Sequence, residues 1–531
     1  MSKLPAIFRP APGSGAERAE QLRRQYPRFV YERFALDRSA DTLRVTFHFR
    51  IEPDIVFAPE TTFSGVDWPR VDSLPQGALE NLLFHLGLIE TLSYWKATCS
   101  PEIRVEVGQL DPQQITWFLD LLRHGMGEFF YVNQIDWRAP EFVRVVASGD
   151  ARMKSEVQVL RFAQDDKKGN AVGENRRDLV LTSGGKDSVV TLELLRATLS
   201  ATGRPFDCLL LNPTEAALAV AGRALLHQGS GGRAIRSSKN VGGPIIVRRT
   251  IDPRLLELNA AGYLNGHTPF SALLAVLGVT AAAIYGYNRV IVSNERSAEE
   301  AGVEYLGEQI NHQYSKTLRF ETAFREYSRK YLAPPRWCHP DPGVPGEGSA
   351  LLENTQDDNE GFEYFSLLRS LYELQIARLF AQHSAYFLLF RSCNRGMKSN
   401  AWCGRCSKCL FVYTALYPFL EREQMLAIFG SDLFAWEGAA EVLRTLLGLD
   451  AHKPFECVGT RDETLAAIYL CAEKIKGQGI PLPASLREIE ETILATRRDL
   501  PELARSILTA WSDQHHLPLD LAELLRQKII R

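Results

Sequence analysis

The stretch Ser183-Gly184-Gly185-Lys186-Asp187-Ser188 constrains the fold more than any other part of the sequence. An apolar run at residues 179–181 precedes it, and residues 189–195 have the composition of a helix. A strand, a tight Gly-Gly turn and a helix N-terminus direct free backbone N–H groups and the positive end of the helix dipole at the loop. Two adjacent glycines let a ligand approach the backbone closely. The stretch therefore predicts an anion-binding loop; a plain turn before a Ser/Asp helix cap is the structural alternative.

The polar side chains of this loop suit a phosphate ligand. Ser183 and Ser188 can donate hydroxyl groups, Lys186 supplies a positive charge, and Asp187 could hold a metal ion. The Walker A pattern is absent from the sequence. The hexamer instead resembles the loop of the PP-loop ATP pyrophosphatase superfamily, whose members split ATP between its α and β phosphates and adenylate a carboxylate or carbonyl oxygen. The resemblance implies ATP and Mg²⁺ as cofactors, bound by Ser183, Gly184, Gly185, Lys186, Asp187, Ser188 and Asn212.

From residue 177 onward, strand patterns alternate with helix patterns. This alternation predicts an α/β fold with a doubly wound, mostly parallel sheet, like that of PP-loop (HUP-like) proteins. The predicted strands are 179–182, 207–211, 244–249, 289–293 and 386–391. The predicted helices are 187–199, 269–286 and 369–383.

The N-terminal part of the chain has a different pattern. Residues 29–34 and 43–49 alternate as strands do, whereas residues 77–98 and 113–126 have helical periodicity; residues 1–24 are expected to be a loose lead-in. A polar stretch predicts a linker, and a Pro- and Gly-rich stretch predicts an excursion or lid; these are residues 164–170 and 334–361. The predicted regions are an N-terminal α+β domain at 1–160, the PP-loop domain at 175–411 and a helical C-terminal region at 412–531.

Composition narrows the range of partners. The chain has 531 residues and a net charge of −3, which argues against a nucleic-acid partner. The N-terminus has no apolar core of signal-peptide length. The uncharged run at 269–288 is diluted by Ala, Gly, Thr, Ser and Tyr, so we expect a buried helix and not a membrane span. These features predict a cytoplasmic protein without a membrane partner.

Four of the nine cysteines form a C-x9-C-x2-C-x2-C cluster: Cys393, Cys403, Cys406 and Cys409. Four thiolates in tetrahedral array suit a structural Zn²⁺ ion, and a reducing compartment is consistent with such a cluster. An iron–sulfur cluster and a chance grouping of cysteines are the alternatives. The cluster also resembles the zinc knuckle of 7-cyano-7-deazaguanine synthase, another PP-loop enzyme. The remaining cysteines are expected to be inert or buried; they are Cys99, Cys208, Cys338, Cys457 and Cys471.

Polar residues are concentrated between the loop and the cysteines. His267 precedes the helix at 269–286, and Glu295 follows the strand at 289–293. Polar side chains after parallel strands lie in the crevice where such folds bind ligands. His312 and Lys316 follow shortly afterwards in the chain, and Arg369 or Glu373 could also face this crevice. The structural alternatives are a capping histidine and solvated helix faces with ion pairs.

Several stretches together resemble the MurL family of UDP-N-acetylmuramoyl-L-alanyl-L-glutamate epimerases. The resemblance runs from about residue 29 to beyond residue 455. The stretches that carry it are residues 85–87, 93–96, 264–271, 293–298, 311–316 and 391–410.

This family resemblance implies an ATP-dependent inversion of the terminal L-glutamate of UDP-MurNAc-L-Ala-L-Glu, with AMP and pyrophosphate as products. Adenylation would remove the negative charge of the carboxylate, so that a side-chain base could take the α-proton. Inversion then needs acid–base groups on both faces. The first candidates are His267 and His312, and the second candidates are Lys316 and Glu295. A ligase or thiolase acting on a nucleobase or tRNA is the second hypothesis, and a non-catalytic nucleotide-binding protein is the third.

Overall fold

The computed structural model describes residues 15–147, 177–226, 243–332, 362–449 and 453–529. The predicted linker at 164–170 and the predicted excursion at 334–361 lie outside the described residues.

The strands are β1 (Arg28–Ser39), β2 (Thr42–Ile51), β3 (Ile55–Phe57), β4 (Glu60–Ser64), β5 (Glu102–Val105), β6 (Arg144–Ala147), β7 (Asp178–Leu181), β8 (Phe206–Leu211), β9 (Ile245–Thr250), β10 (Arg289–Val292), β11 (Val303–Tyr305), β12 (Glu308–Ile310) and β13 (Glu363–Ser366). The helices are α1 (Gly15–Gln25), α2 (Trp68–Asp72), α3 (Ala78–Trp95), α4 (Pro112–Gly125), α5 (Gly127–Val132), α6 (Lys186–Thr202), α7 (Glu215–Leu226), α8 (Pro253–Ala260), α9 (Phe270–Tyr285), α10 (Leu318–Tyr327), α11 (Glu373–Phe380), α12 (Ser407–Leu416), α13 (Arg422–Phe429), α14 (Ala439–Leu446), α15 (Arg461–Gly477), α16 (Ala484–Thr492), α17 (Leu500–Thr509) and α18 (Leu519–Ile529).

One 11-stranded sheet runs through the described residues, in the order β13-β10-β7-β8-β9-β4-β2-β1-β5-β6, with β3 paired to β2. The five strands from β13 to β9 are parallel to one another. The pairs β9–β4, β4–β2 and β2–β1 are antiparallel and join this part to the N-terminal strands. The prediction of a mixed α/β fold with a large, mainly parallel sheet is therefore confirmed. The proposed division of the chain into three regions stays a prediction.

A hydrophobic core lies on each face of the parallel strands. Leu179 belongs to the core that contains α3 and α9, whereas Val180 belongs to the core that contains α6 and α11. Successive side chains of a strand point to opposite faces, so the continuous apolar run of β7 serves both cores. Helices α12 to α18 extend the second core.

The parallel strands place several loops at one edge of the sheet. Strands β7, β10 and β13 are neighbours, and they end at Leu181, Val292 and Ser366. The segments that follow them therefore meet at the carboxyl edge, where open α/β sheets bind ligands. These segments are the loop at 183–188, the stretch that contains Glu295 and the stretch that leads to α11.

The predicted strand at 386–391 is wrong. A 3₁₀ turn occupies Ser384–Tyr386, and the Phe390 ring packs 4.4 Å from Phe380 and 5.3 Å from Trp402, centroid to centroid. The apolar run is thus a buried aromatic loop, and the fifth parallel strand is β13. The helix predicted at 369–383 is shorter, because the chain turns before α11 begins. The other predicted strands and helices are confirmed.

Residues 15–25 form helix α1, so the expected loose lead-in is wrong for this part. Ala19 and Leu22 are buried. The Arg23 guanidinium donates 2.5 Å hydrogen bonds to the carbonyls of Cys99 and Phe142 and so attaches the helix to the N-terminal strands and helices. Among the described residues, no helix is long and apolar enough to cross a membrane, and the run at 269–288 contains the buried helix α9.

Candidate active site

The loop between β7 and α6 has a conformation that requires glycine. Gly184 has a φ of 84°, in the left-handed region that other residues seldom adopt. A Cβ atom on Gly184 would lie 2.5 Å from the backbone nitrogen of Ala217 in α7. The Gly184 carbonyl accepts a 3.0 Å hydrogen bond from the Arg391 N–H, and Ser392 lies beside Gly185. The loop is therefore packed between α7 and the segment that precedes the cysteine cluster.

The two serines of the loop lie next to each other. The Ser188 hydroxyl accepts a 3.0 Å hydrogen bond from the Ser183 N–H, and the two hydroxyl oxygens are 3.2 Å apart. Helix α6 begins at Lys186 with Gly185 as its N-cap, and no side chain caps it. A helix N-terminus without a side-chain cap leaves backbone N–H groups free to bind an anion. The two serine hydroxyls can therefore donate hydrogen bonds to the same anion as these N–H groups.

Lys186 and Asp187, at the start of α6, belong to a cluster of charged side chains. The Lys186 ammonium, which is only 1% exposed, binds the carboxylates of Asp187 and Glu373. Burial opposes the charge of Lys186, but the two carboxylates raise its pKa. Burial, together with the charge of Asp187, raises the pKa of Glu373. Burial also opposes ionisation of Asp187, but the ammonium groups of Lys186, Lys408 and Lys316 lower its pKa overall.

Asn212 directly follows β8, and its side chain is hydrogen-bonded to the backbone of the neighbouring strand. Its side-chain amide donates a 2.7 Å hydrogen bond to the Arg249 carbonyl and accepts one of 2.8 Å from the Arg249 N–H. These bonds attach β8 to β9 and occupy the amide. Its predicted contact with the nucleotide stays a prediction.

Arg369 joins two of the loops that carry candidate residues. Its guanidinium, 2% exposed, donates a 2.9 Å hydrogen bond to the Glu295 carbonyl and another to the Lys316 carbonyl. The Glu295 side chain is 1% exposed, and its Oε1 atom has no hydrogen-bond partner among the described residues. Arg369 therefore fixes the backbone at Glu295 and Lys316, and the Glu295 carboxylate keeps one oxygen for a further contact.

Lys316 is the centre of a second charged group. Its Nζ atom donates a 3.4 Å hydrogen bond to the Cys457 sulfur, and the Cys457 carbonyl accepts a hydrogen bond from the Lys408 ammonium. Burial opposes the charge of Lys316, but Cys457, Glu295 and Asp187 raise its pKa. Of the cysteines expected to be inert or buried, Cys99, Cys208 and Cys471 are buried, whereas Cys457 is only partly buried and lies beside Lys316.

His267 and His312 are neighbours, with ring centroids 6.3 Å apart. Burial lowers the pKa of His267 to about 4, helped by the charges of Lys96 and Lys316. Burial lowers the pKa of His312 to about 3, helped by His267 and Lys316. Both ring nitrogens of His312 are buried without a hydrogen-bond partner among the described residues. Both imidazoles are therefore neutral at pH 7 and can accept a proton.

Two residues of the N-terminal part extend the histidine site. The Glu128 carboxylate in α5 lies 3.6 Å from Nδ1 of His267, and burial raises the pKa of Glu128 to about 7. Lys96, directly after α3, donates a 2.8 Å hydrogen bond to the Gly266 carbonyl, next to His267. Burial lowers the pKa of Lys96 to about 8.

The four clustered cysteines converge as their spacing predicts. The sulfur atoms of Cys393, Cys403, Cys406 and Cys409 lie within 4.8 Å of one another. The Gly396 N–H donates to the Cys393 sulfur at 3.2 Å, and the Cys409 N–H donates to the Cys406 sulfur at 3.4 Å. Such N–H···S bonds are the outer contacts that orient thiolate ligands on a metal. The donor set and its geometry thus fit a tetrahedral metal ion.

Sequence patterns identify only part of this site. Lys96 and Lys408 lie in stretches that resemble the MurL family, and this position is a weak sequence signal that they belong to the site. Glu128 and Cys457 have no local pattern at all, because tertiary contacts alone bring them to the site. Cys457, for example, is 141 residues from Lys316 along the chain.

Two family models match the chain. Residues 20–335 match the MurL N-terminal domain, and residues 389–499 match the MurL C-terminal domain. No solved structure gives a significant match.

Three curated relatives are named UDP-N-acetyl-alpha-D-muramoyl-L-alanyl-L-glutamate epimerase. The relative from a Micromonospora species is 33% identical, over 85% of this chain and 86% of its own length. The one from Salinispora tropica is 34% identical over 77% of each chain. The one from Xanthomonas oryzae pv. oryzae is 29% identical, over 94% of this chain and 97% of its own length.

Proposed function

Because the chain belongs to the MurL family, as its sequence motifs predict, we propose that it epimerises the terminal glutamate of UDP-MurNAc-L-Ala-L-Glu in peptidoglycan precursor synthesis. In our proposal the reaction uses ATP and passes through an acyl-adenylate. The observation that carries this proposal is a set of contacts between the loop and Lys316: Lys186 of the loop pairs with Glu373, and Arg369, four residues before Glu373, binds the Lys316 carbonyl. The charge of Lys316 also lowers the pKa of Asp187 and of His312. A group activated at the loop would therefore lie within reach of a proton acceptor.

The first step is activation of the glutamate α-carboxylate. A carboxylate oxygen attacks the α-phosphorus of ATP, the bond to the β-phosphate oxygen breaks, and pyrophosphate leaves. The five parallel strands support a PP-loop fold for this part, because their order β13-β10-β7-β8-β9 is the doubly wound order. The hydroxyls of Ser183 and Ser188 and the N–H groups at the start of α6 would hold the departing pyrophosphate.

Adenylation makes the next step possible because it removes a negative charge beside the α-carbon. The α-proton of a free carboxylate is hard to remove, since the electron pair left behind would lie next to an existing charge. In the mixed anhydride, this pair can move into the activated carbonyl group. A positioned base adds about 10²–10⁴-fold to such a step. His312 suits this role, because its neutral imidazole has no other hydrogen-bond partner among the described residues.

Inversion is completed when a proton arrives on the opposite face of the α-carbon, and hydrolysis of the anhydride then gives AMP and the D-epimer. Arg369 would keep the Glu295 and Lys316 loops in place during these steps. Lys316 would stabilise negative charge near the carbonyl.

Two metals fit the proposal. Asp187 would hold Mg²⁺, which neutralises phosphate charge as pyrophosphate leaves. The four cysteines would hold a structural Zn²⁺ ion with no open position for water. That ion would fix the segment at Arg391 and Ser392 against the loop and would place Lys408 beside Cys457.

The test is direct incubation of the protein with ATP, Mg²⁺ and UDP-MurNAc-L-Ala-L-Glu. After acid hydrolysis, D- and L-glutamate are separated on a chiral column, and AMP is measured in parallel. We expect D-glutamate and AMP in the complete mixture only. A folded preparation that forms neither product, but adenylates a nucleobase or tRNA, would favour the ligase or thiolase alternative instead.

A further inference from the structure

We propose that the thiol of Cys457 is the acid that delivers a proton to the substrate α-carbon on the face opposite the imidazole base. This assignment rests on the proposed epimerase function. In this assignment a histidine removes the α-proton and Cys457 delivers the new proton, so the two histidines no longer make both transfers.

The two histidines alone cannot complete an inversion. One group must accept a proton, and the other must already carry one that it can give away. His267 and His312 both have pKa values far below neutrality, so at pH 7 both are acceptors. Their rings are also direct neighbours, with centroids 6.3 Å apart. A proton donor is therefore missing from the pair.

Cys457 lies where such a donor is needed. Its sulfur accepts a 3.4 Å hydrogen bond from the Lys316 ammonium, and its own carbonyl is bound by the Lys408 ammonium. An ammonium group directed at a sulfur stabilises the negative charge that develops there when the thiol gives up its proton. Lys316 itself is a poor candidate for the proton transfer, because its neighbours raise its pKa and keep it charged.

The segment that carries Cys457 is fixed on both sides. Before it, the Lys453 ammonium pairs with Glu300 at 2.8 Å, and the Phe455 ring packs 5.9 Å from the ring of His312. After it, Thr460 caps helix α15. The segment is thus held by contacts on both sides of Cys457, and Lys316, which binds the Cys457 sulfur and lowers the pKa of His312, lies between the thiol and the imidazole in this set of contacts.

Two buried carboxylates around the same cluster also keep oxygens for a ligand. Glu295 is 1% exposed and Glu373 is completely buried. The Oε1 atom of each has no hydrogen-bond partner among the described residues. Unpaired polar atoms at such depth are costly unless a ligand completes them. They indicate that substrate groups enter the space around Lys316 and Cys457.

The proton balance of this step is simple. The imidazole of His312 takes the α-proton and becomes imidazolium, while the C–H electron pair moves into the activated carbonyl. The pair then returns to the α-carbon and takes the proton from the Cys457 thiol, which leaves a thiolate beside Lys316. After product release, the imidazolium loses a proton to solvent and the thiolate gains one.

The test uses Cys457→Ala and Cys457→Ser in the full-length protein, run in D₂O with ATP, Mg²⁺ and UDP-MurNAc-L-Ala-L-Glu. We expect both variants to form AMP and to exchange the α-proton of the L-substrate for deuterium, because the imidazole can return a deuteron to the same face. Formation of the D-epimer should fall at least about 100-fold. Cys471→Ala is the matched control, since that buried thiol only donates to the Thr414 carbonyl in the helical region.

Two results would overturn the assignment. One is a folded Cys457→Ala protein that forms the D-epimer within threefold of the wild-type rate. The other is loss of AMP formation in both variants, which would place Cys457 before proton transfer. If the wild-type protein forms no D-epimer, the proposed function itself fails, and this outcome is distinct from either result on Cys457.

Discussion

The Arg369 guanidinium donates a 2.9 Å hydrogen bond to the backbone carbonyl of Glu295, deep in the protein. The same side chain binds the Lys316 carbonyl and lies 3.1 Å from Glu299 and 3.6 Å from Glu321. One planar side chain thus connects the segments that follow two neighbouring strands. This connection holds the backbone of Glu295 and of Lys316 on one guanidinium, and the Glu295 carboxylate helps to raise the pKa of Lys316.

We predict that Arg369→Lys destabilises the protein by about 2–4 kcal/mol, because an ammonium cannot make the planar contacts of guanidinium and leaves buried carbonyl groups unpaired. Urea unfolding followed by tryptophan fluorescence measures the change. The control is Arg505→Lys, whose side chain is 68% exposed and for which we expect a change within about 0.5 kcal/mol. Equal stability of the two variants would contradict the structural role of Arg369.

Asp187→Asn should abolish AMP and pyrophosphate release while the protein stays folded. The substitution removes the carboxylate that would hold Mg²⁺ at the loop, but it keeps the volume of the side chain. Pyrophosphate release and the far-UV circular dichroism spectrum measure the two effects. Release of ADP and phosphate by the wild-type protein would instead exclude a PP-loop reaction.

About one Zn²⁺ ion should co-purify with each chain, and Cys406→Ser should lower metal content and thermal stability together. It should also weaken ATP binding, because the segment before Cys393 packs on Gly184 and Gly185. Elemental analysis, thermal unfolding and nucleotide titration measure these effects. Cys471→Ala should retain the metal, and a metal-free wild-type protein of equal stability would contradict the prediction.

The contribution of His267 and His312 to the free energy of unfolding should fall as the pH is lowered from about 6.5 to 4. The pKa values of His267 and His312 are lowered to about 4 and 3, whereas an unfolded histidine has one near 6.5. In this window each of these two histidines binds more protons in the unfolded chain than in the folded one, so their contribution to stability is lost in acid. Glu128, whose pKa is raised to about 7, acts in the opposite direction, so the histidine contribution is measured with a variant. His312→Gln removes one such group and should reduce the loss between pH 6.5 and 5 by about 1–2 kcal/mol. Identical pH profiles for wild type and variant would be inconsistent with this account.

The sequence predicted the parallel strands well because each is a short apolar run bounded by turn residues. It failed at residues 386–391, where an equally apolar run packs its aromatic rings as a loop. It also missed β13, since the four residues of this strand follow a long polar stretch and have no alternation of their own. Helix α1 was missed because only Ala19 and Leu22 of its residues are buried.

The loop and the cysteine cluster could be predicted because their residues stand close together in the chain, and the two histidines because each lies in a stretch that resembles the MurL family. Glu128 and Cys457 could not, because each reaches the site through contacts between distant segments. The choice of His267 and His312 as an acid–base pair follows from the family resemblance. Their lowered pKa values, which keep both imidazoles neutral, depend on burial, and the local sequence does not reveal burial.

In the proposed reaction, adenylation of the substrate precedes removal of the α-proton. The most direct measurement is deuterium incorporation at the glutamate α-carbon of UDP-MurNAc-L-Ala-L-Glu in D₂O, by mass spectrometry, with and without ATP. We predict incorporation only when ATP and Mg²⁺ are present, with AMP formed in the same reaction. Incorporation at the same rate without ATP would contradict the account and would favour direct epimerisation of the free carboxylate.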